Sequence, residues 1–146
     1  MRFRGEYQHS VDSKGRVSLP AKFRKALPDE VTVVPVPDSK MGKALYVFSD
    51  EAYDAWMDSF FASEEGGFNP RNTKHIALQR YLNASAESVA VDAAGRIKLS
   101  SKQCDQVGIA KDVSIIGNDD HIEIWDVSAR ADYMDSIDPF GDFLQV

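Results

Sequence analysis

Apolar and polar positions alternate in short bursts along this chain. Val11 and Val17-Ser18-Leu19 read as half-buried strands on either side of the polar run Asp12-Ser13-Lys14-Gly15. Asp12 in the first position of a type I turn accepts hydrogen bonds from turn amides. Gly15 in the fourth tolerates positive φ, which suits a three-residue hairpin loop closing in a G1 bulge. Arg16 then opens the return strand. Pro20 fits the first turn of a short helix in which Phe23 and Leu27 form an i, i+4 apolar pair. Strands are predicted over Val31 to Val36 and Lys43 to Phe48, with Pro35 limiting the first to an edge or an irregular strand. Later strands fall at Val113 to Ile116 and His121 to Trp125, joined by a turn through Gly117-Asn118-Asp119-Asp120. Between them and the second Asp-x-x-Gly-Arg run, Ser100 or Ser101 caps a helix that Gly108 ends. Two more helices are predicted outside this pattern. One is capped by Ser49-Asp50 and carries Ala52, Trp56 and Phe60; the other is capped by Ser128 and carries Ala131, Met134 and Ile137. Residues 63–70 read as a connecting loop, and Arg71 to Leu82 as a helix after it.

The pattern occurs twice. Shifted by 80 residues, Val11-Asp12-Ser13-Lys14-Gly15-Arg16-Val17-Ser18-Leu19 falls on Val91-Asp92-Ala93-Ala94-Gly95-Arg96-Ile97-Lys98-Leu99, with five of nine pairs identical. Leu45-Tyr46-Val47-Phe48 matches Ile122-Glu123-Ile124-Trp125 at an offset of 77. Asp92, Gly95 and Arg96 recreate the first turn. The expected organisation is a first repeat over 5–51, a helical and loop connection over 52–80, a second repeat over 81–128 and an acidic C-terminal helix or tail over 129–146. Units of about 45 residues bury too little surface to stand alone, so the two copies are expected to interlock into one pseudo-symmetric body.

Composition changes the picture through charge. The chain has 146 residues, 43% hydrophobic and 27% charged, with a net charge of -6. These values exclude disordered and fibrous classes, and no apolar run reaches a membrane-spanning length. The charged start Met1-Arg2-Phe3-Arg4 lacks the apolar core of a secretory signal, and a single Cys104 makes no internal disulfide; both favour a reducing cytoplasm. An acidic average argues against nucleic acid at first sight. By segment, however, residues 1–27 hold seven Lys/Arg against two Asp/Glu, residues 28–70 two against nine, residues 71–102 six against two, and residues 103–146 two against ten. Basic and acidic stretches alternate in step with the repeat.

Enzyme signatures are missing: there is no phosphate loop, no dinucleotide glycine fingerprint and no His-Glu-x-x-His. His9, His75 and His121 with Cys104 have the count for zinc but not the ligand spacing, and Cys104 lacks an adjacent base. Asp12 and Asp92 could pair across a pseudo-twofold axis as hydrolase carboxylates. An Asp that opens a tight turn, or one that orients a functional Arg, is the stronger reading. The basic cluster Arg2, Arg4, Lys14, Arg16, Lys22, Arg24 and Lys25 is either a solvated face or a DNA-binding surface. Its recurrence in the duplicate favours DNA, because a two-stranded ribbon fits the major groove, where Arg reads guanine and Lys holds phosphate. The acidic tail would be repelled by DNA and belongs away from that surface. Phe140, Phe143 and Leu144 in it either dock on a neighbouring subunit or remain disordered.

Phe3-Arg4-Gly5-Glu6-Tyr7 followed by Asp12-Ser13-Lys14-Gly15-Arg16-Val17-Ser18-Leu19-Pro20-Ala21-Lys22-Phe23-Arg24 resembles the opening of MraZ proteins. The second Asp-x-x-Gly-Arg at Asp92 to Arg96 and the closing Ile115-Ile116-Gly117 and Ile122-Glu123-Ile124-Trp125-Asp126 resemble that family's second half, so the likeness runs to about residue 135. The resemblance implies a mostly β, α+β fold: two tandem AbrB-like swapped-hairpin units in one pseudo-twofold, barrel-like body with peripheral helices. It also implies a homo-oligomeric ring and a non-enzymatic bacterial transcription factor without cofactor or metal. Such a factor is cytoplasmic and nucleoid-associated, binds direct repeats in double-stranded promoter DNA of a division and cell-wall gene cluster, and usually represses its own operon. The family's Asp and Arg fall on Asp12 and Arg16 and on Asp92 and Arg96. Arg4, Lys14, Arg16, Lys22, Arg24 and Arg96 are the expected DNA contacts, and Asp12, Gly15, Asp92 and Gly95 the turn framework. Arg2 is an addition relative to the usual start. Ser100 stands where Pro is common, Cys104 where Arg often sits, and His121-Ile122 where Arg-Phe is frequent. With Ala93 and Ala94 at its tip, copy two is expected to contribute less to DNA than copy one. AbrB-type folds also serve as antitoxins, a second class of function in which the tail neutralises a protein partner.

Overall fold

Every second residue of the central strands points to the same side, and both sides are apolar, so the sheet must be covered on both faces. A computed structural model describes residues 2–145. Its first half runs β1 (Phe3–Ser10), β2 (Arg16–Ser18), α1 (Ala21–Arg24), β3 (Glu30–Val36) and β4 (Ala44–Phe48). Helices α2 (Asp50–Ser59) and α3 (Thr73–Ser85) connect it to β5 (Glu87–Ala90), β6 (Arg96–Lys98), α4 (Ser101–Val107), β7 (Asp112–Asp119) and β8 (His121–Asp126). Helices α5 (Val127–Asp135) and α6 (Pro139–Leu144) close the chain. The fold is α+β: mostly antiparallel sheet with several short helices.

Six strands form one antiparallel sheet in the order β1-β7-β8-β4-β3-β5, and β2 pairs with β6 in a separate two-stranded ribbon. Each outer strand pairs with the other half of the chain, β1 with β7 and β5 with β3. At the centre Tyr46 faces Glu123 across β4 and β8, and in the ribbon Val17 faces Ile97. The strand order therefore reads the same from either edge when one half is exchanged for the other. The loops obey the same exchange: Val11 N–H donates to Lys111 O (2.9 Å) and Val91 N–H to Asp29 O (2.7 Å).

Alternation divides the core. Val31, Val33, Leu45, Val47, Ile122 and Ile124 pack with Val17, Ile97, Phe23 and Val107, filling the space between the large sheet, the ribbon, α1 and α4. The other face, with Val34, Val36, Tyr46, Phe48 and Trp125, is covered by Tyr53 and Met57 of α2 and Leu82 of α3. Gln103 of α4 is buried and donates through Nε2 to Val33 O and Ser85 O (both 3.0 Å), pinning that helix to the sheet.

Several local expectations shift. Val11 lies in a loop rather than a strand, and β1 and β2 do not pair as a hairpin because β2 turns away to meet β6. Pro35 lies in β3, an inner strand, yet β5 extends along it only as far as Val33; beyond that point β3 has β4 alone as neighbour, so no second ladder is lost. The β7–β8 turn is tighter than a four-residue turn from Gly117. Gly117 pairs in the sheet on both sides, with Gly5 and Ile122, and a Cβ there would strike the backbone of Phe3 and Arg4. Asp126, not Ser128, caps α5 by accepting from Ala129 N–H (3.2 Å), because β8 runs directly into the helix. Ile137 falls beyond the last helical residue. Ser49 and Ser100 cap α2 and α4 as the sequence indicates, and Gly108 ends α4 in the left-handed conformation.

Candidate nucleic-acid interface

The two Asp-x-x-Gly-Arg loops have one construction. In the first, Asp12 N–H donates to Arg16 O (2.8 Å) and Gly15 N–H to Asp12 O (3.0 Å), with Gly15 at φ 81°. Asp12 Oδ1 accepts from the amides of Lys14 (2.9 Å) and Arg16 (2.8 Å), and Oδ2 accepts from Arg16 Nε (3.0 Å). In the second, Asp92 accepts from the amides of Ala94 (3.0 Å) and Arg96 (2.9 Å) and from Arg96 Nε (2.9 Å). Each carboxyl is held below its ordinary value, first by the backbone N–H of the Arg four residues on and then, against desolvation, by that residue's guanidinium. The carboxylate thus closes the turn and fixes the Arg side chain through Nε, which leaves the terminal nitrogens of the fork to a ligand. A carboxylate held ionised by its own turn is ill suited to general acid chemistry.

The loops also grip each other's halves. Leu19 N–H donates to Gly95 O (2.9 Å) and Leu99 N–H to Gly15 O (2.8 Å). This brings Arg16 and Arg96 into one ribbon, where Arg16 stands opposite Lys98 and Ser18 opposite Arg96. Val17 and Ile97 are buried beneath, so the other four positions face outward. Like charges facing each other across a strand pair destabilise an empty surface, whereas they suit an anion.

The remaining expected contacts divide. Lys14 sits exposed at the first loop, and Lys22 is exposed on α1 just after the ribbon. Arg24 leans across the second loop: Nη1 donates to Ala94 O (3.0 Å), and the side chain fills the space a Cβ on Gly95 would need. Eighty residues on, Cys104 takes the equivalent place, half-buried, and an open groove bordered by Lys14, Gly15, Lys98 and Ser101 lies beside it. Burial pushes the Cys104 thiol up, the reverse of an activated nucleophile. Arg4 lies apart from the ribbon, in β1 opposite Asn118, and Arg2 pairs with Asp119 (3.2 Å) at that same end. Lys98 is the ribbon cation the sequence reading missed. Its signal was its alignment with Ser18, an outward strand position.

A second polar cluster lies on the opposite face of the large sheet. His121 Nδ1 is 2.7 Å from Asp120 Oδ1 and Nε2 is 2.9 Å from Glu123 Oε2. Glu123 also accepts from Asn118 Nδ2 and Trp125 Nε1 (2.9 Å each), and the imidazole stacks on Tyr46 at 4.6 Å. Burial opposes charge on both groups. The hydrogen bonds outweigh it, holding His121 above its ordinary value and Glu123 below. His75 is elsewhere, with Nδ1 accepting from Asn69 N–H (3.0 Å). Among the described residues no three His, Cys, Asp or Glu side chains converge as metal ligands, and no helix is long and apolar enough to cross a membrane.

An antiparallel α+β body whose two halves meet in a basic ribbon defines a small protein built to present one charged face. Comparison with known proteins gives that body its family. The chain matches the family model described as "MraZ protein, putative antitoxin-like" over residues 2–73 and 82–140. It is 38% identical over 131 residues to the transcriptional regulator MraZ of Corynebacterium jeikeium, covering 90% of this chain and 85% of that protein. It is 30% identical over 144 residues to the transcriptional regulator MraZ of Mycoplasmoides gallisepticum, covering 98% and 95%. The chain belongs to the MraZ family; it is a transcriptional regulator and not an enzyme.

Proposed function

We propose that the β2–β6 ribbon binds double-stranded DNA through its major groove, with Arg16 and Arg96 reading base edges and Lys14, Lys22 and Lys98 neutralising phosphates. The observation that carries this reading is the outward row Arg16, Lys98 and Arg96, with both arginines held by their turn carboxylates. A two-stranded ribbon has the width the major groove admits. In this reading residues 5–51 and 81–128 are two AbrB-like swapped-hairpin units, which the cross-pairing of β1 with β7 and β5 with β3 supports.

The protein acts in the cytoplasm, on the nucleoid, as a homo-oligomeric ring on direct repeats in the promoter of its own division and cell-wall gene cluster, which it represses. A ring of acidic subunits, each with one basic ribbon, reconciles the net charge of -6 with DNA binding. Spaced weak contacts then gain from effective concentration.

The test is a salt-titrated binding assay on the chain's own upstream DNA and on a scrambled version of its repeats, with wild type, Arg16→Ala and Arg96→Ala. Wild type binds the native sequence in preference, and Arg16→Ala lowers affinity about 10- to 100-fold, the scale of one lost bidentate base contact. A folded, assembled wild type that binds neither DNA overturns the reading. Copy one contributes more than copy two, so a folded Arg96→Ala that weakens binding more than a folded Arg16→Ala reverses that ranking. The family description also names an antitoxin-like character; co-purification of a stoichiometric small protein favours that second reading.

A further inference from the structure

We propose that Arg24 is a positioning residue for the second loop of the ribbon: it acts on DNA through Arg96 and makes no phosphate contact of its own. This rests on the proposed binding of DNA by the ribbon, and it separates Arg24 from the cations with which the sequence groups it.

The second loop is held from two sides. Inside it, Asp92 accepts from the amides of Ala94 and Arg96 and from Arg96 Nε. From the first half of the chain, Leu19 N–H donates to Gly95 O (2.9 Å) and Arg24 Nη1 to Ala94 O (3.0 Å). The peptide groups on both sides of Gly95 are thus fixed, one residue before Arg96. Gly95 is at φ 77°, and a Cβ there would overlap Arg24 Cδ and Nη1, so the arginine lies directly on the glycine. One edge of its fork is committed to a carbonyl and its stem to a glycine. What the side chain supplies is a support for the loop.

The other half shows a loop without that support. The 80-residue offset puts Cys104 at the place of Arg24 and Gly15 at that of Gly95. A Cys side chain ends one atom beyond Cβ, so it does not cross to the Lys14 carbonyl as Arg24 crosses to that of Ala94. Gly15 meets only Leu99 O at 3.0 Å and Lys98 Cγ at 3.9 Å, and an open groove lies beside the loop. The first loop carries Lys14 at its tip, whereas the second has Ala93 and Ala94 there. Arg96 therefore has no cation beside it at the tip and depends on direction. Asp92 sets its side chain through Nε, and Arg24 sets the backbone that carries both. A bidentate contact to a base edge needs that placement, since a misaligned fork loses one of its two hydrogen bonds.

Salt-titrated binding of the full chain to its own upstream DNA and to the scrambled repeats tests this. The variants are Arg24→Ala, Arg96→Ala, the two together, and Cys104→Arg, each checked for folding by circular dichroism. Arg24→Ala is expected to weaken binding to the native sequence about 5- to 10-fold, the low end of one bidentate base contact. It leaves the salt slope unchanged, because no phosphate contact is lost. The double variant binds within about twofold of Arg96→Ala, since two changes that act through one group do not add. Cys104→Arg rebuilds the support on the first loop, so it slows hydrogen exchange at Gly15 and raises affinity without steepening the slope. An Arg24→Ala that binds as wild type, or that flattens the slope by about one, overturns the proposal while DNA binding by the ribbon stands. Losses at Arg24 and Arg96 that multiply do the same. A wild type that binds neither DNA overturns both readings. If Arg24→Ala loses its fold, Cys104→Arg decides, and unchanged exchange at Gly15 in that variant overturns the proposal.

Discussion

Two carboxylates show how one residue type takes its role from its surroundings. Asp12 is exposed and spends its oxygens on turn amides and on Arg16 Nε. Glu123 is buried and is ionised only because His121, Asn118 and Trp125 all donate to it. Replacing Asp12 by Ala is expected to lower DNA affinity without removing any cation, because Arg16 loses its fixed direction; a binding assay beside a thermal melt separates this from unfolding. The His121–Glu123 pair ties stability to pH. The folded value of His121 is raised above 6.5, so its contribution is complete below that pH and is lost as pH rises through the folded value. The folded value of Glu123 lies below 4.5, so its contribution is complete above that pH and is lost as pH falls. Stability should therefore peak between these limits. The variant His121→Gln should cost about 3 kcal/mol there and flatten the decline above pH 6.5, as denaturant titrations at several pH values will report.

At the scale of elements, the loops and their supports decide rigidity. Gly95 has φ 77° and carries Arg24 packed over it, whereas Gly15, at φ 81°, faces only Leu99 O at 3.0 Å and a distant Lys98 side chain. Alanine at either position meets the left-handed penalty of about 1 kcal/mol. Gly95→Ala must also displace Arg24, so it should lose about 2 kcal/mol in chemical denaturation, more than Gly15→Ala. Removing the support directly, Arg24→Ala should cost about 1 kcal/mol for the lost hydrogen bond and speed hydrogen exchange at Gly95 while sparing Gly15. A periodicity of two and a turn signal locate the loops, but they do not say which strand comes back to meet them. β1 and β2 are strands with a turn between them, yet their partners β7 and β6 lie about 110 and about 80 residues along the chain.

For the whole molecule, segregation of charge is the property that matters. The ribbon collects cations from both halves, while Asp and Glu gather on α2, at the β7–β8 turn and on the tail. With Lys14, Lys22 and Lys98 on phosphates, the logarithm of the DNA binding constant should fall against the logarithm of salt concentration with a slope of about -3 per bound subunit. Lys98→Ala should reduce that slope by about one. A slope near zero would be incompatible with phosphate contacts from this face.

Much of this protein was legible in the chain itself. The duplicated Asp-x-x-Gly-Arg, the capping of α2 by Ser49 and the end of α4 at Gly108 depend on neighbours a few residues away, where turn chemistry, capping and φ preference act. Short runs of β-branched and aromatic residues also marked β4 and β8 as strands, and burial on both faces accounts for their apolar character. Pairing across the exchange of halves was decided only in three dimensions. That exchange set Arg16 opposite Lys98, turned Arg24 onto a loop 70 residues away, left Arg4 at the far end of the sheet and stacked His121 on Tyr46 of the other half. None of these relations has a local signature, since each arises where distant segments share one core and must satisfy one another's hydrogen bonds.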